Sequence, residues 1–228
     1  MAPEDPIVEV IQFVSTEQCL GNPSLFQALR DIVQGWQEKG LKVQYWGTTM
    51  EKPNNIYWVL FWQSRAHAAA FAADPLYPEF VQRRQSLATT PVRDLYAPLS
   101  GDPQLCVEAP VTDVAIFKAH EARIEKMHET AHSAVHLLRS LQLQGFTGSS
   151  LGVTHEDPSV GIYFSGWNSV EDHMRIGMEE GHEKLKEEGE EFMKQLSDLI
   201  IVHVDFKKHD PEIAVPSNLH STATDDGI

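Results

Sequence analysis

The sequence is short of several features, and each shortage closes off a class of protein. Only two of its 228 residues are cysteine, Cys19 and Cys106. They are too few for a disulfide framework or a paired-cysteine zinc site, so both are expected as free thiols. Positive charge is in the minority: 18 lysines and arginines face 33 aspartates and glutamates, for a formal net charge of -15. Such a balance opposes binding to nucleic acid or to an anionic membrane surface. No apolar run approaches the roughly 18 residues of a membrane span. The opening MAPEDPIVEV has neither the positive flank nor the apolar stretch of a signal peptide, so a cytoplasmic location is expected. A phosphate-cradling glycine loop and a nucleophile elbow are also missing, which argues against nucleotide-dependent and triad-hydrolase chemistry.

What is there is a repeat. Setting GLKVQYWGTTMEKPNNIYWVLFWQS, from Gly40, over GFTGSSLGVTHEDPSVGIYFSGWNS, from Gly145, needs no gap at an offset of 105. Gly40/Gly145, Gly47/Gly152, Thr49/Thr154, Glu51/Glu156, Pro53/Pro158, Trp62/Trp167 and Ser64/Ser169 coincide. Identities on turn glycines, a turn proline and a strand-end tryptophan mark one duplicated unit.

Each copy reads β-α-β-β-α-β. In the first, the β-branched run Ile7 to Val14 predicts a strand ending at the turn Gly21 to Pro23. A helix capped by Ser24 carries Leu25, Leu29, Ile32, Val33 and Trp36 at helical spacing up to Gly40. Strands at Leu41 to Thr49 and Ile56 to Trp62, a helix broken near Pro75 and Pro78, and a strand within Val92 to Leu99 complete the unit. After an expected linker, Ser100 to Gln104, the order returns, with a strand at Asp113 to Ala119 and a helix from about Ala122 to Gln144. Two further extended runs, a glutamate-rich helix through Glu179 to Glu191 and a strand at Leu199 to Phe206 follow. The expected fold is α+β: two tandem ferredoxin-like units, residues 1–100 and 101–208, with residues 209–228 as an extended or disordered tail. Each sheet has one face without helices, so two such faces should close on one another, within the chain or across a homodimer, and carry much of the aromatic content. A ligand would fit between sheet and helices or between the sheets.

Three local features carry a resemblance: YWG at Tyr45 to Gly47, the aromatic-x-Ser steps Trp62-Gln63-Ser64 and Trp167-Asn168-Ser169, and a histidine fifteen residues past the second tryptophan. With these the chain resembles the dimeric α/β-barrel superfamily of stress-responsive barrels, antibiotic-biosynthesis monooxygenases and olivetolic acid cyclase-type polyketide cyclases. In those cyclases the corresponding helix position holds a cavity-facing catalytic histidine. The resemblance places His182 there, with Tyr77 as its counterpart in the first repeat. It also places Asp113 on the first strand and His203 on the last, where the cyclases have a histidine and an aspartate in the opposite order. Phe71 and Ile176 stand where the cyclases have a tyrosine, so Tyr163 or Tyr77 is expected to supply a phenol instead.

The expected catalytic set is therefore His182, His203, Asp113 and Tyr163. Substrate contacts are expected from Tyr77, Phe71, Trp58, Trp62, Trp167, Ile176 and His173. The implied activity is a cofactor-independent cyclase, isomerase or monooxygenase acting on a small hydrophobic, polyketide-like or aromatic molecule. Two alternatives stand beside it: a non-catalytic ligand-binding or stress-response barrel, and a haem protein of chlorite dismutase-like type with His182 or His173 as axial ligand. His128, His132 and His136 recur every four residues, but they point away from their helix's apolar face, and no metal is expected there.

Overall fold

The computed structural model describes residues 5–176, 178 and 181–210. Unit 1 runs β1 (Ile7–Val14), α1 (Glu17–Gly21), α2 (Pro23–Gln34), β2 (Leu41–Thr48), β3 (Asn55–Trp62), α3 (Arg65–Ala72), α4 (Tyr77–Ser86) and β4 (Arg93–Ala97). A short strand β5 (Ser100–Gly101) and helix α5 (Pro103–Val107) lead into unit 2. That unit consists of β6 (Val111–Ala119), α6 (Ile124–Ser140), β7 (Phe146–Val153), β8 (Val160–Trp167), α7 (Val170–Arg175), α8 (Glu183–Met193) and β9 (Leu196–Val204), followed by β10 (Lys207–Lys208). Among the described residues no helix is long and apolar enough to cross a membrane.

Each unit is an antiparallel sheet with its first strand inside, in the order β2-β3-β1-β4 and, in the second copy, β7-β8-β6-β9. The alternation of strand side chains splits every strand between two environments. On β1, Val8 and Val10 face the opposite sheet, while Ile7, Ile11 and Phe13 face the unit's own helices. The helices answer with apolar stripes: Phe26, Leu29 and Val33 on α2, and Met127, Ala131, Val135 and Leu138 on α6.

Between the two sheets lies one shared core. Val10 and Val59 of unit 1 pack there with Val114, Ile162, Phe164 and Val202 of unit 2, so the barrel closes within a single chain. Of the aromatic content expected there, Tyr45, Tyr57, Phe61, Phe164 and Phe206 are in this core, but Trp58 and Trp62 are not. Trp58 and Trp62 lie under the helices of unit 1 with Phe71 and Phe80. The inter-sheet core is mainly β-branched, and such residues interdigitate between two closely facing pleated surfaces where an indole would hold them apart.

The expected linker is a structural exchange. β5 adds to the edge of β7 in unit 2, and β10 adds to the edge of β2 in unit 1. Each unit's last strand thus continues onto the other unit's sheet, covering an edge that would otherwise be open. Arg139 fixes the first strap, donating to the carbonyls of Ser100 and Ser149 at 3.2 and 2.7 Å. Gly47 and Gly152, one of the repeated pairs, lie beneath the crossings: a Cβ would sit 2.5 Å from the Asp205 carbonyl oxygen at the first and 2.3 Å from that of Pro98 at the second.

Other boundaries shift for local reasons. Thr16 caps α1, a turn of helix where the sequence suggested only the end of a strand, and α2 starts at Pro23 after Asn22 rather than at Ser24. His209, at the head of the expected tail, is buried against Arg30 and Asp31; residues 211–228 lie outside the described residues. The glutamate-rich helix begins at Glu183 with His182 as its cap residue, and Glu179 lies outside the described residues.

Candidate functional site

The polar centre of unit 2 is assembled on its middle strand. The register sets Asp113 opposite Ser165 on β8 and His203 on β9, all on the helix-covered face. His173 reaches over them from α7. Its Nδ1 lies 2.9 Å from Nε2 of His203, and its Nε2 lies 3.8 Å from Oδ2 of Asp113. Ser165 donates to that carboxylate at 3.2 Å and accepts from the indole of Trp167 at 2.8 Å. Trp167 also stacks on the His173 ring, with centroids 5.2 Å apart.

The far side of His203 belongs to unit 1. Glu51, in the turn between β2 and β3, accepts from Nδ1 of His203 at 2.6 Å and from its backbone N–H at 3.0 Å. This turn is held in place by the Met50 N–H bond to the His203 carbonyl at 2.8 Å and by a bridge between Thr49 and Val204. The site is therefore completed by unit 1 through Glu51.

Hydrogen-bond roles assign the protons. An ionised carboxylate only accepts, so Nδ1 of His203 carries a hydrogen, and in the neutral ring Nε2 then holds a lone pair. Nδ1 of His173 then donates to that lone pair, leaving Nε2 of His173 as a second lone pair that faces Asp113. The protonation energetics agree. Burial alone would raise Glu51, but the bonds from the ring and backbone of His203 hold its carboxyl below the usual range. Burial pushes Asp113 up to about 6, opposed by His203 and the Ser165 bond. Burial, with the nearby His203, pushes His173 down to about 4, so it is neutral near pH 7. Oδ1 of Asp113 is buried and has no hydrogen-bond partner.

One strand step away is an apolar cavity of about 180 Å³ between sheet and helices, lined by Ala115, Phe117, Val135, Leu151, Leu185 and Phe192 among others. Its polar group is Tyr163, whose phenol is pushed up by burial and stays protonated. Ala115 and Tyr163 are paired, and each lies two residues along its strand from Asp113 and Ser165. The cavity and the histidines are thus about 7 Å apart along the sheet.

The structure brings together Asp113, His203, His173 and Trp167, with Tyr163 beside them. It does not bring His182 into the same hydrogen bonds; that residue is half-buried at the start of α8, three residues before the cavity-lining Leu185. Ile176 ends α7. Tyr77, Phe71, Trp58 and Trp62 belong to the other unit, where they pack on one another and on Phe80. Unit 1 holds a counterpart that sequence reasoning missed: Glu9, opposite Tyr96 as Asp113 is opposite His203. Glu9 accepts from Trp62 and Tyr96, each at 2.8 Å, and burial pushes it up to about 7. Glu51 was also missed, although it is one of the repeated identities. A carboxylate within the apolar run IVEVIQFV and a turn glutamate kept in both copies were the available signals.

The His173 ring, one of the two candidate axial ligands for a haem, is stacked on Trp167 and bonded to His203. One ligand atom from each of Asp113, His173 and His203 does lie within 4.8 Å of the other two.

Fold and site together define a single-chain α/β-barrel with a hydrogen-bonded chain of Glu51, His203 and His173 beside the buried Asp113. No family model and no curated protein matches the sequence. Solved structures do match the fold. An anthrone oxidase-like protein aligns with a TM-score of 0.70 at 12% identity, covering 90% of this chain and 94% of that one. A candidate monooxygenase from Fusobacterium nucleatum aligns at 0.65 and 9% identity, over 92% and 96% of the two chains. Another from Lactobacillus acidophilus aligns at 0.60 and 15%, over 89% and 94%. The chain has the tandem ferredoxin-like, dimeric α/β-barrel fold that they share.

Proposed function

We propose that the protein is a cofactor-independent acid–base enzyme acting on a small aromatic or polyketide-like substrate, with oxygenation as the reaction. The observation that carries this reading is the placement of an apolar cavity one strand step from the half-buried His173, neutral near pH 7 and bonded to the buried His203. A volume of about 180 Å³ slightly exceeds the roughly 150 Å³ known to hold benzene, so it takes one ring of the substrate. Nε2 of His173 removes a proton from an activated carbon next to a carbonyl. His203, backed by Glu51, accepts the Nδ1 hydrogen bond and so fixes the tautomer that leaves a lone pair on the outer nitrogen. The electron pair moves onto the carbonyl oxygen, where the protonated Tyr163 can donate to it.

Such a carbanion reacts with dioxygen directly. For an activated CH2, uptake of one O2 and loss of one water leaves C=O. The name of the anthrone oxidase-like neighbour supports this choice over cyclisation or isomerisation.

The test is oxygen uptake and product analysis with a panel of anthrones and phenolic ketones, using full-length, chelator-treated protein. His203→Ala and His173→Ala should each lower turnover by roughly 10²–10⁴-fold. His182→Ala is the discriminating variant: loss of turnover with it, and not with His203→Ala, would place the base at His182 and end this assignment. Binding of a ring compound without any conversion would favour the non-catalytic barrel.

A further inference from the structure

We propose that Asp113, His173 and His203 also form a binding site for one divalent transition-metal ion, with Glu51 as the outer carboxylate that orients His203. The three ligand residues come from β6, α7 and β9, so no spacing in the sequence announces them. Two imidazoles and a carboxylate are the donor set of zinc, cobalt, nickel or ferrous ions, and not of calcium or magnesium, which prefer oxygen alone.

Three observations point to a cation here. First, Nδ1 of His173 and Nε2 of His203 face one another with a single hydrogen between them, beside a carboxylate that can itself only accept when ionised; an ion takes the place of that hydrogen, which moves to Nε2 of His173, on the Asp113 side. Second, Oδ1 of Asp113 has no hydrogen-bond partner, and its side chain is only 5% exposed; an oxygen in that position is costly unless something positive meets it. Third, the distances suit an ion. Nδ1 of His173 and Nε2 of His203 are 2.9 Å apart, the separation of two adjacent ligands each about 2.05 Å from a six-coordinate ion. Asp113, whose ligand oxygen lies within 4.8 Å of the ring nitrogens, needs to close by up to about 2 Å to join them. The Glu51–His203 bond at 2.6 Å is the carboxylate–histidine arrangement that fixes a ligand's tautomer and raises its basicity.

An ion at this position holds the His173 hydrogen on Nε2, the nitrogen that the acid–base reading uses as base, so the metal is expected to inhibit turnover. The site goes beyond that reading and does not depend on it.

The experiment is titration of chelator-stripped, full-length protein with Co²⁺ and Zn²⁺, followed by calorimetry, by the visible absorption of bound Co²⁺ and by the shift in melting temperature. Expected are one ion per chain, a Co²⁺ spectrum with nitrogen ligation, and a raised melting temperature. All three should be lost in His203→Ala and His173→Ala. Glu51 is 42% exposed, and Glu51→Gln should weaken binding by roughly 10–100-fold while far-UV circular dichroism stays as in the wild type. Combined His128→Ala, His132→Ala and His136→Ala should leave binding unchanged. The proposal is overturned if the wild type takes up no ion, if the His203 and His173 variants bind as the wild type does, or if the triple variant abolishes binding. Turnover of the stripped protein is measured separately, so failure of the metal site does not decide the enzyme question.

Discussion

Two buried carboxylates at equivalent places have taken different partners. Asp113 faces histidines, while Glu9 faces a tyrosine and a tryptophan. Burial raises Glu9 from 4.5 to about 7. The unfolded chain releases this proton first, so stability declines as pH rises from about 4.5 to about 7 and is level above that. The total is on the order of 3 kcal/mol. Asp113, raised from 3.8 to about 6, contributes a decline over a lower window. His173, lowered from 6.5 to about 4, contributes a rise over nearly the same window. Urea midpoints measured from about pH 5 to pH 7.5 should therefore fall in the wild type and stay much flatter in Glu9→Gln. Parallel curves would refute the assignment. At this scale the sequence was only partly legible. Asp113 and His203 stood out because each interrupts an apolar run. The part played by His173 depends on how α7 crosses the sheet, and that of Glu51 on the other unit's turn, which no local pattern encodes.

At the level of elements, the repeated glycines are explained by what passes over them. Gly47 and Gly152 coincide in the two copies because each unit's outgoing strap crosses the other's edge strand there. A methyl group at either site would meet a backbone carbonyl, which cannot rotate away. Gly152→Ala is expected to cost about 1–3 kcal/mol and to speed amide exchange at Ser100 and Gly101. An unchanged melting temperature would contradict the crossing. Strand and helix positions were readable because period-two and helical spacings are local properties. The straps were not: a two-residue strand has too little sequence to show a period, and Ser100 to Gln104 reads as a linker until its partner β7 is known.

For the whole molecule, the consequence of duplication is that the barrel needs no second chain. Its inter-sheet core is supplied by both units, and β5 and β10 each extend one edge of the other unit's sheet. In dilute solution the mass should be that of one chain, 25.6 kDa, by light scattering after gel filtration; an obligate dimer would contradict closure within the chain. Separate halves should each expose an apolar sheet face and associate or aggregate. The same closure builds the site, since Glu51 of unit 1 completes a relay otherwise owned by unit 2. The relay can be observed without any substrate, by nitrogen-15 and proton NMR of the histidine rings in metal-free protein at neutral pH. Expected are Nδ1–H tautomers for both His203 and His173, with a strongly downfield His203 ring proton that disappears in Glu51→Gln. Nε2–H tautomers, or a His203 proton indifferent to Glu51, would contradict the relay from which the proposed chemistry follows.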